Sequence, residues 1–169
     1  MPYAMSIEQA TTGDFVSIAS LNIAAFAEFI PRPLPGSWET MQKNLQNIDE
    51  RSTSPEFLIC RAEGEIVGSI AYCPAGKGDP SIFRPDMASV LLLAVHPRHR
   101  GKGLAKTLTA ECISRARKDG VASIGRFTGE RMLAAQHVYR RFGFQLESEL
   151  PRRYGLRYFR FVLPLNTTP

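Results

Sequence analysis

Cysteine is scarce. Cys60, Cys73 and Cys112 are the only three in 169 residues, and they stand far apart. An odd, sparse set argues against a disulfide framework and fits a reducing compartment, so a cytoplasmic protein is expected. No CxxC pair occurs, and His96, His99 and His137 have no metal-ligand spacing to the cysteines, so no metal site is expected. No apolar run reaches the length of a membrane-spanning helix. The opening MPYAMSIEQATTGDF lacks a basic start followed by an apolar stretch, and with it the marks of a signal peptide. Internal repeats and low-complexity segments are missing as well.

What is present is the composition of a globular chain: 44% apolar and 22% charged residues. The length suits one domain spanning 1–169. The net charge of +5 conceals an asymmetry. Residues 1–95 carry 6 basic and 11 acidic side chains, whereas residues 96–169 carry 15 and 5. Such an imbalance fits either an uneven solvated surface or a polyanionic ligand, nucleic acid or a phosphorylated cofactor, held by the second half.

The pattern along the chain alternates strands and helices. SIEQAT reads as a short first strand, and Thr11 with Asp14 is a capping-box pair. Phe15, Ile18, Leu21, Ala25 and Phe29 recur at helical spacing, predicting a helix over 13–29. IPRPLPG breaks it, and a second helix is expected from Trp38 to Glu50. EFLICRAEGEIVGSIAYC predicts a hairpin turning at Glu63-Gly64, and PAGKGDPSIFRPD a loop. SVLLLAV is apolar on both alternations, as a central strand would be. A helix to about Lys118 follows, with Leu104, Leu108, Cys112, Ile113 and Ala116 on one face and Lys106, Thr109, Arg117 and Lys118 away from it. VASIGRF is another strand and ERMLAAQHVYRRFG another helix. FQLESEL and RYFRFVLPL close the chain as an antiparallel pair joined by PRRYG.

LLLAVHPRHRGKGLAK, residues 91–106, is the stretch with the most chemistry in it. Strand, Gly-rich basic turn, then helix is an arrangement that seats phosphate. The first helical turn leaves backbone N–H groups unpaired, and the helix dipole adds positive potential there. Glycines allow close approach of an anion, and Arg98, Arg100, Lys102 and Lys106 surround it with charge. On its own the stretch also reads as a helix start dressed in solubilising charge. It fails the P-loop spacing, because Gly101 and Gly103 are misplaced, and the GxGxxG fingerprint, because position 106 is lysine.

AVHPRHRGKGLAKTL resembles the acetyl-CoA motif of the GNAT superfamily of N-acetyltransferases, Arg/Gln-x-x-Gly-x-Gly/Ala after a strand ending in Val-x-Pro. Two registers satisfy it: Arg98, Gly101, Gly103, or Arg100, Gly103, Ala105. The second is preferred, for its offset from Val95 and because it puts Leu104 and Leu108 on the buried helix face. AAQHVYRRFGF resembles the family's second landmark through Ala135, Tyr139, Gly143 and Phe144. The chain departs from the family at Met132, where many members carry asparagine.

The resemblance implies an α/β (α+β) GNAT-type fold, a mixed sheet of six to seven strands with about four helices. It implies an acyltransferase that moves the acetyl group of acetyl-CoA to a primary amine by direct transfer in a ternary complex, with no metal. Leu93, Ala94 and Val95 would pair with the pantetheine arm. Arg100, Gly101, Lys102, Gly103, Leu104, Ala105 and Lys106 would take the diphosphate. A backbone N–H near the end of LLLAV would stabilise the thioester oxygen. Tyr139 is the expected acid for the leaving thiolate. No acid stands on SVLLLAV to act as base, which leaves Glu28, Glu130, His137 or water. The acceptor, a small-molecule or peptide amine, would meet IPRPLPGSW, with Trp38 as a wall, and ESELPRRYG. A monomer or homodimer is expected, with no membrane partner. A non-catalytic acetyl-CoA sensor and a nucleic-acid-binding domain are the alternatives; the compactness of the basic turn speaks against the latter.

Overall fold

Residues 6–27, 56–153 and 155–165 are described in the computed structural model. Strand β1 (Ile7–Gln9) leads through a 3₁₀ turn (Thr12–Asp14) into helix α1 (Phe15–Phe26). The Asp14 carboxylate accepts a hydrogen bond from the Thr11 backbone N–H at 2.9 Å, closing the expected start of this segment. Strands β2 (Glu56–Ala62) and β3 (Glu65–Cys73) form the expected hairpin. Its turn residues Glu63 and Gly64 have φ of 51° and 84°, the paired left-handed conformation that matches strand twist in tight hairpins.

Strand β4 (Met87–Val95) is followed by a 3₁₀ turn (Pro97–His99), helix α2 (Leu104–Lys118) and strand β5 (Ser123–Gly129). Helix α3 (Leu133–Arg141), strand β6 (Gln145–Arg153) and strand β7 (Leu156–Pro164) complete the order. The seven strands form one sheet, β1-β2-β3-β4-β5-β7-β6. Every neighbouring pair is antiparallel except β4 and β5, which are parallel and joined by the α2 crossover. The mixed sheet agrees with the sequence expectation. Three α-helices lie among the described residues. The helix expected from Trp38 to Glu50, the IPRPLPGSW loop and Glu28 fall outside those residues.

Alternation along β2 shows how the sheet is covered. Phe57 and Ile59 pack with Ile18 of α1, while Leu58 and Cys60 pack with Leu108 and Cys112 of α2. The two helices therefore lie on opposite faces. Val90 and Ala94 of the apolar β4 are both buried, Val90 on the α2 side and Ala94 among α1 residues, as expected for a central strand.

Two local readings change. Thr109 is fully buried instead of lying away from the core; it stands one helical turn before the buried Cys112 and Ile113 of α2. Strand β6 runs through Pro151 to Arg153, where a turn was expected. It is an edge strand with a register irregularity between Leu150 and Arg153, and an edge or bulge is where a sheet tolerates proline's missing N–H. The expected loop after β3 is present, and Ile82 and Phe83 within it are buried against Met87 and Val162.

Gly125 on β5 marks a tight point under this loop. A Cβ there would overlap Met87 Sδ and lie 3.1 Å from Phe83 Cδ1, and both neighbours are buried. Gly125→Ala is expected to destabilise the fold by about 1–3 kcal/mol in chemical denaturation. An unchanged midpoint would contradict this packing.

Candidate active site

The site begins where β4 leaves its parallel partner. The ladder between them runs from Met87↔Ser123 to Val90↔Arg126 and stops, although both strands continue. On the other side, Leu91 pairs with Ala71 and Ala94 with Ser69, so β4 carries one residue more than β3 over the same span. Leu92 takes up the extra length with φ of 54°. A left-handed leucine costs about 1–2 kcal/mol, and the resulting bulge turns β4 away from β5. Backbone groups of Leu91–Val95 that would otherwise pair with β5 are thus left open on that edge. Between the parted strands lies a cavity of about 310 Å³. Alanine and valine side chains of α3 and the end of α1 complete its largely apolar wall.

One end of the cavity is the glycine turn. Gly101 and Gly103 have φ of 76° and 82°, and nothing stands within 4 Å of where their side chains would be. Gly103 is the N-cap of α2, and the helix bond from Thr107 N–H to its carbonyl measures 3.0 Å. The amides of Leu104, Ala105 and Lys106 precede that bond and have no intrahelical acceptor. Helix dipole, open amides and glycine clearance thus meet at one place, which suits an anion such as a diphosphate.

Of the residues expected here from sequence, Leu93, Ala94, Val95, Arg100, Gly101, Gly103, Leu104, Ala105 and Lys106 all line the cavity. Lys102 does not. Arg100 also donates from Nη2 to the Ala25 carbonyl at 3.3 Å, tying the turn to the end of α1. Arg98 is exposed and outside the cavity lining, and its backbone N–H donates to His96 Nδ1 at 3.1 Å.

The other end lies near the last paired rung. Arg126 lines the cavity, yet it is only 3% exposed. Its Nη1 donates to the Val90 carbonyl at 3.5 Å, and its guanidinium carbon sits 4.0 Å from the centre of the Tyr139 ring. It forms no ion pair among the described residues, and its Nε has no hydrogen-bond partner there. Burial pushes its pKa below the ordinary arginine value. Tyr139 is fully buried and does not itself line the cavity; its ring lies against Arg126 and, 5.5 Å away and edge-on, against Phe144. Its hydroxyl has no hydrogen-bond partner among the described residues, and burial pushes the phenol pKa up, against the opposing pull of Arg126.

Met132, at the N-cap of α3, is buried and lines the cavity where the family often has asparagine. Neither Glu130 nor His137 reaches the cavity lining. Glu130 Oε2 accepts from the Arg157 backbone N–H at 3.0 Å, and His137 is exposed. Arg126 was missed in the sequence. Its signal was an arginine near the end of VASIGRF, a stretch otherwise composed as a buried strand.

Comparison with known proteins agrees with this geometry. The profile of the acetyltransferase (GNAT) family matches residues 20–144. N-acetyltransferase 8 of Mus musculus is 32% identical over 93 residues, a match covering 55% of this chain and 40% of that protein. The chain thus spans less than half the length of that relative. The yncA protein of Salmonella typhimurium, solved with its cofactor acetyl-CoA, superposes with a TM-score of 0.68 at 20% identity, covering 98% of this chain and 96% of that one. The ribosomal-protein-alanine N-acetyltransferase of Brucella melitensis gives a TM-score of 0.67 at 23% identity, covering 95% and 99%. Sequence profile, motif placement and fold converge: the chain belongs to the acetyltransferase (GNAT) family.

Proposed function

We propose that this protein transfers the acetyl group of acetyl-CoA to a primary amine, by direct attack of the amine on the thioester in a ternary complex. The observation that carries the reading is the continuity of one cavity from the glycine turn to the parted β4–β5 edge. It offers an anion seat at one end and a mostly apolar channel along an open strand edge to the other. A CoA thioester has that distribution of chemistry: a phosphate end, an amide-bearing arm and an uncharged acyl group. In the yncA protein, acetyl-CoA is the bound ligand.

In this reading the amides from Gly101 to Lys106 hold the diphosphate, with Arg100 and Lys106 contributing charge. Leu93, Ala94 and Val95 present their open backbone groups to the pantetheine arm as an added strand would require. A backbone N–H at the Leu92 bulge stabilises the oxyanion. Tyr139 is the acid, acting from behind Arg126: its ring lies against that guanidinium, which lines the cavity, and burial keeps its phenol protonated. Neither Glu130 nor His137 reaches the cavity, which leaves water or Glu28, a residue outside the described ones, as the base. The acceptor is a small-molecule or peptide amine, and the protein acts as a monomer or homodimer in the cytoplasm.

The direct test is release of free CoA from acetyl-CoA across a panel of small and peptide amines. At least one amine is expected to raise release well above background hydrolysis. Tight acetyl-CoA binding with no release to any amine would favour a non-catalytic sensor instead.

Two substitution sets probe the parts. Arg100→Ala is expected to weaken acetyl-CoA binding by about tenfold, the worth of a charge-assisted contact, while Arg98→Ala leaves it within about twofold. The reverse order in calorimetric titration would show that Arg98 opens the motif. Tyr139→Phe is expected to lower kcat by about 100-fold with little change in acetyl-CoA affinity. Undiminished kcat, under conditions where chemistry limits the rate, would remove Tyr139 from the mechanism.

A further inference from the structure

We propose that Arg126 is a further catalytic residue, holding the negative charge that develops on the CoA sulfur as the thioester breaks. The proposal rests on the acetyl-CoA reading of the cavity.

Arginine is almost never fully buried without a carboxylate partner, because desolvation of an unpaired charge is costly. Arg126 is such a case. It is 3% exposed on β5, and among the described residues no carboxylate pairs with it. The charged and titratable groups around it are Cys112 from α2, Tyr139 from α3 and Tyr158 from β7, none of them an acid that would balance it. One face of the guanidinium lies on the Tyr139 ring, one N–H reaches the Val90 carbonyl, and Nε, with no partner among the described residues, leaves donor capacity for a ligand. The same side chain lines the cavity at the rung where β4 and β5 part. From that rung to Val95 is roughly 16 Å of strand, beyond which the anion seat begins. A ligand whose phosphates sit in the glycine turn and whose arm follows β4 brings its far end to Arg126.

Proton transfer alone is a poor answer to the leaving group. Tyr139 is buried behind Arg126 and does not line the cavity, so a group that does line it meets the charge on sulfur first. A fixed cation needs no transfer at the moment of bond cleavage. The balanced step is as follows. The neutral amine nitrogen forms a bond to the thioester carbonyl carbon, and the new N–H⁺ loses its proton to water. The C–S bond then breaks with its electron pair on sulfur. The thiolate is held by the Arg126 guanidinium, with Tyr139 behind it able to supply a proton afterwards. The products are the acetylated amine and CoA.

The test is the titration of the CoA thiol while it is bound to the protein, followed by the ultraviolet absorbance of the thiolate. The protein's own thiols are quiet in this range, because burial pushes Cys60 up to about 11 and Cys112 up to about 12, and raises Cys73 too. Bound CoA is expected to ionise at least about one pH unit below the free thiol's value of about 8.5. Arg126→Gln should return it to the free value and lower kcat by about tenfold or more, while desulfo-CoA, which lacks the sulfur, binds as before. Arg126→Lys should keep most of the shift.

An unshifted bound thiol in the unaltered protein would overturn the proposal without any variant having to fold. So would equal titration in the Arg126→Gln protein with desulfo-CoA binding unchanged. Preference for a donor with an acyl carboxylate, succinyl-CoA over acetyl-CoA, lost on Arg126→Gln, would assign the guanidinium to the acyl group and overturn it too. Failure of both CoA and desulfo-CoA to bind the unaltered protein would instead overturn the reading of the cavity itself, and the proposal with it.

Discussion

The parting of β4 from β5 is the constraint on which the rest of the molecule turns. A parallel central pair would ordinarily continue to the ends of its strands, since each lost rung leaves buried polar backbone unpaired. Here it stops at Val90↔Arg126, and a left-handed Leu92 makes β4 one residue too long for its other neighbour. That strain is tolerated because β3 holds β4 on one side and β7 holds β5 on the other, with pairing on either side of the opening. What results is an open strand edge inside the protein, shielded by α1 and α3 and continuous with the start of α2. Without the bulge there would be a closed sheet and a helix N-terminus with no channel leading from it.

Electrostatics then divides the channel. Its outer end gathers Arg100, Lys106, open amides and a helix dipole, in keeping with the positive second half of the chain. Its inner end carries a single buried guanidinium stacked on Tyr139. Between them the wall is apolar, with Met132 standing where a polar asparagine would be common. An anion at the mouth and a cation-requiring event at the floor are both chemically consistent with a CoA thioester that is bound by its phosphates and broken at its sulfur. The salt bridges elsewhere, such as Arg157 to Glu149 at 2.8 Å, are largely exposed and play no part in this division.

Much of this was legible in the sequence, and the reasons differ by element. The glycine turn could be read because positive φ and close approach demand particular residues at particular spacing, and Gly101 and Gly103 supply them. The central strand could be read because burial on both faces leaves an unbroken apolar run. The bulge could not: Leu92 sits in LLLAV with no glycine or asparagine to advertise a left-handed residue, and tertiary pairing on both sides imposes it. Arg126 was hidden for a related reason. A charged residue in a strand is read by default as facing solvent, and only the packing of Arg126 against Val90 and Tyr139 shows that it is buried. Pro151 misled in the opposite sense, since proline signals a turn unless the strand is known to be an edge. Tyr139 was identified as a helix residue with a role, but its burial behind Arg126 depends on how α3 seats against β5.

The central claim is that a CoA thioester lies along the opened edge of β4 with its diphosphate on the glycine turn. Amide hydrogen exchange with and without acetyl-CoA tests it directly, residue by residue. New protection is expected to concentrate in Leu93–Val95 and Gly101–Lys106, with the hairpin of β2 and β3 and the β6 edge unaffected. Binding that leaves those amides unprotected, or that protects the sheet uniformly, would contradict it.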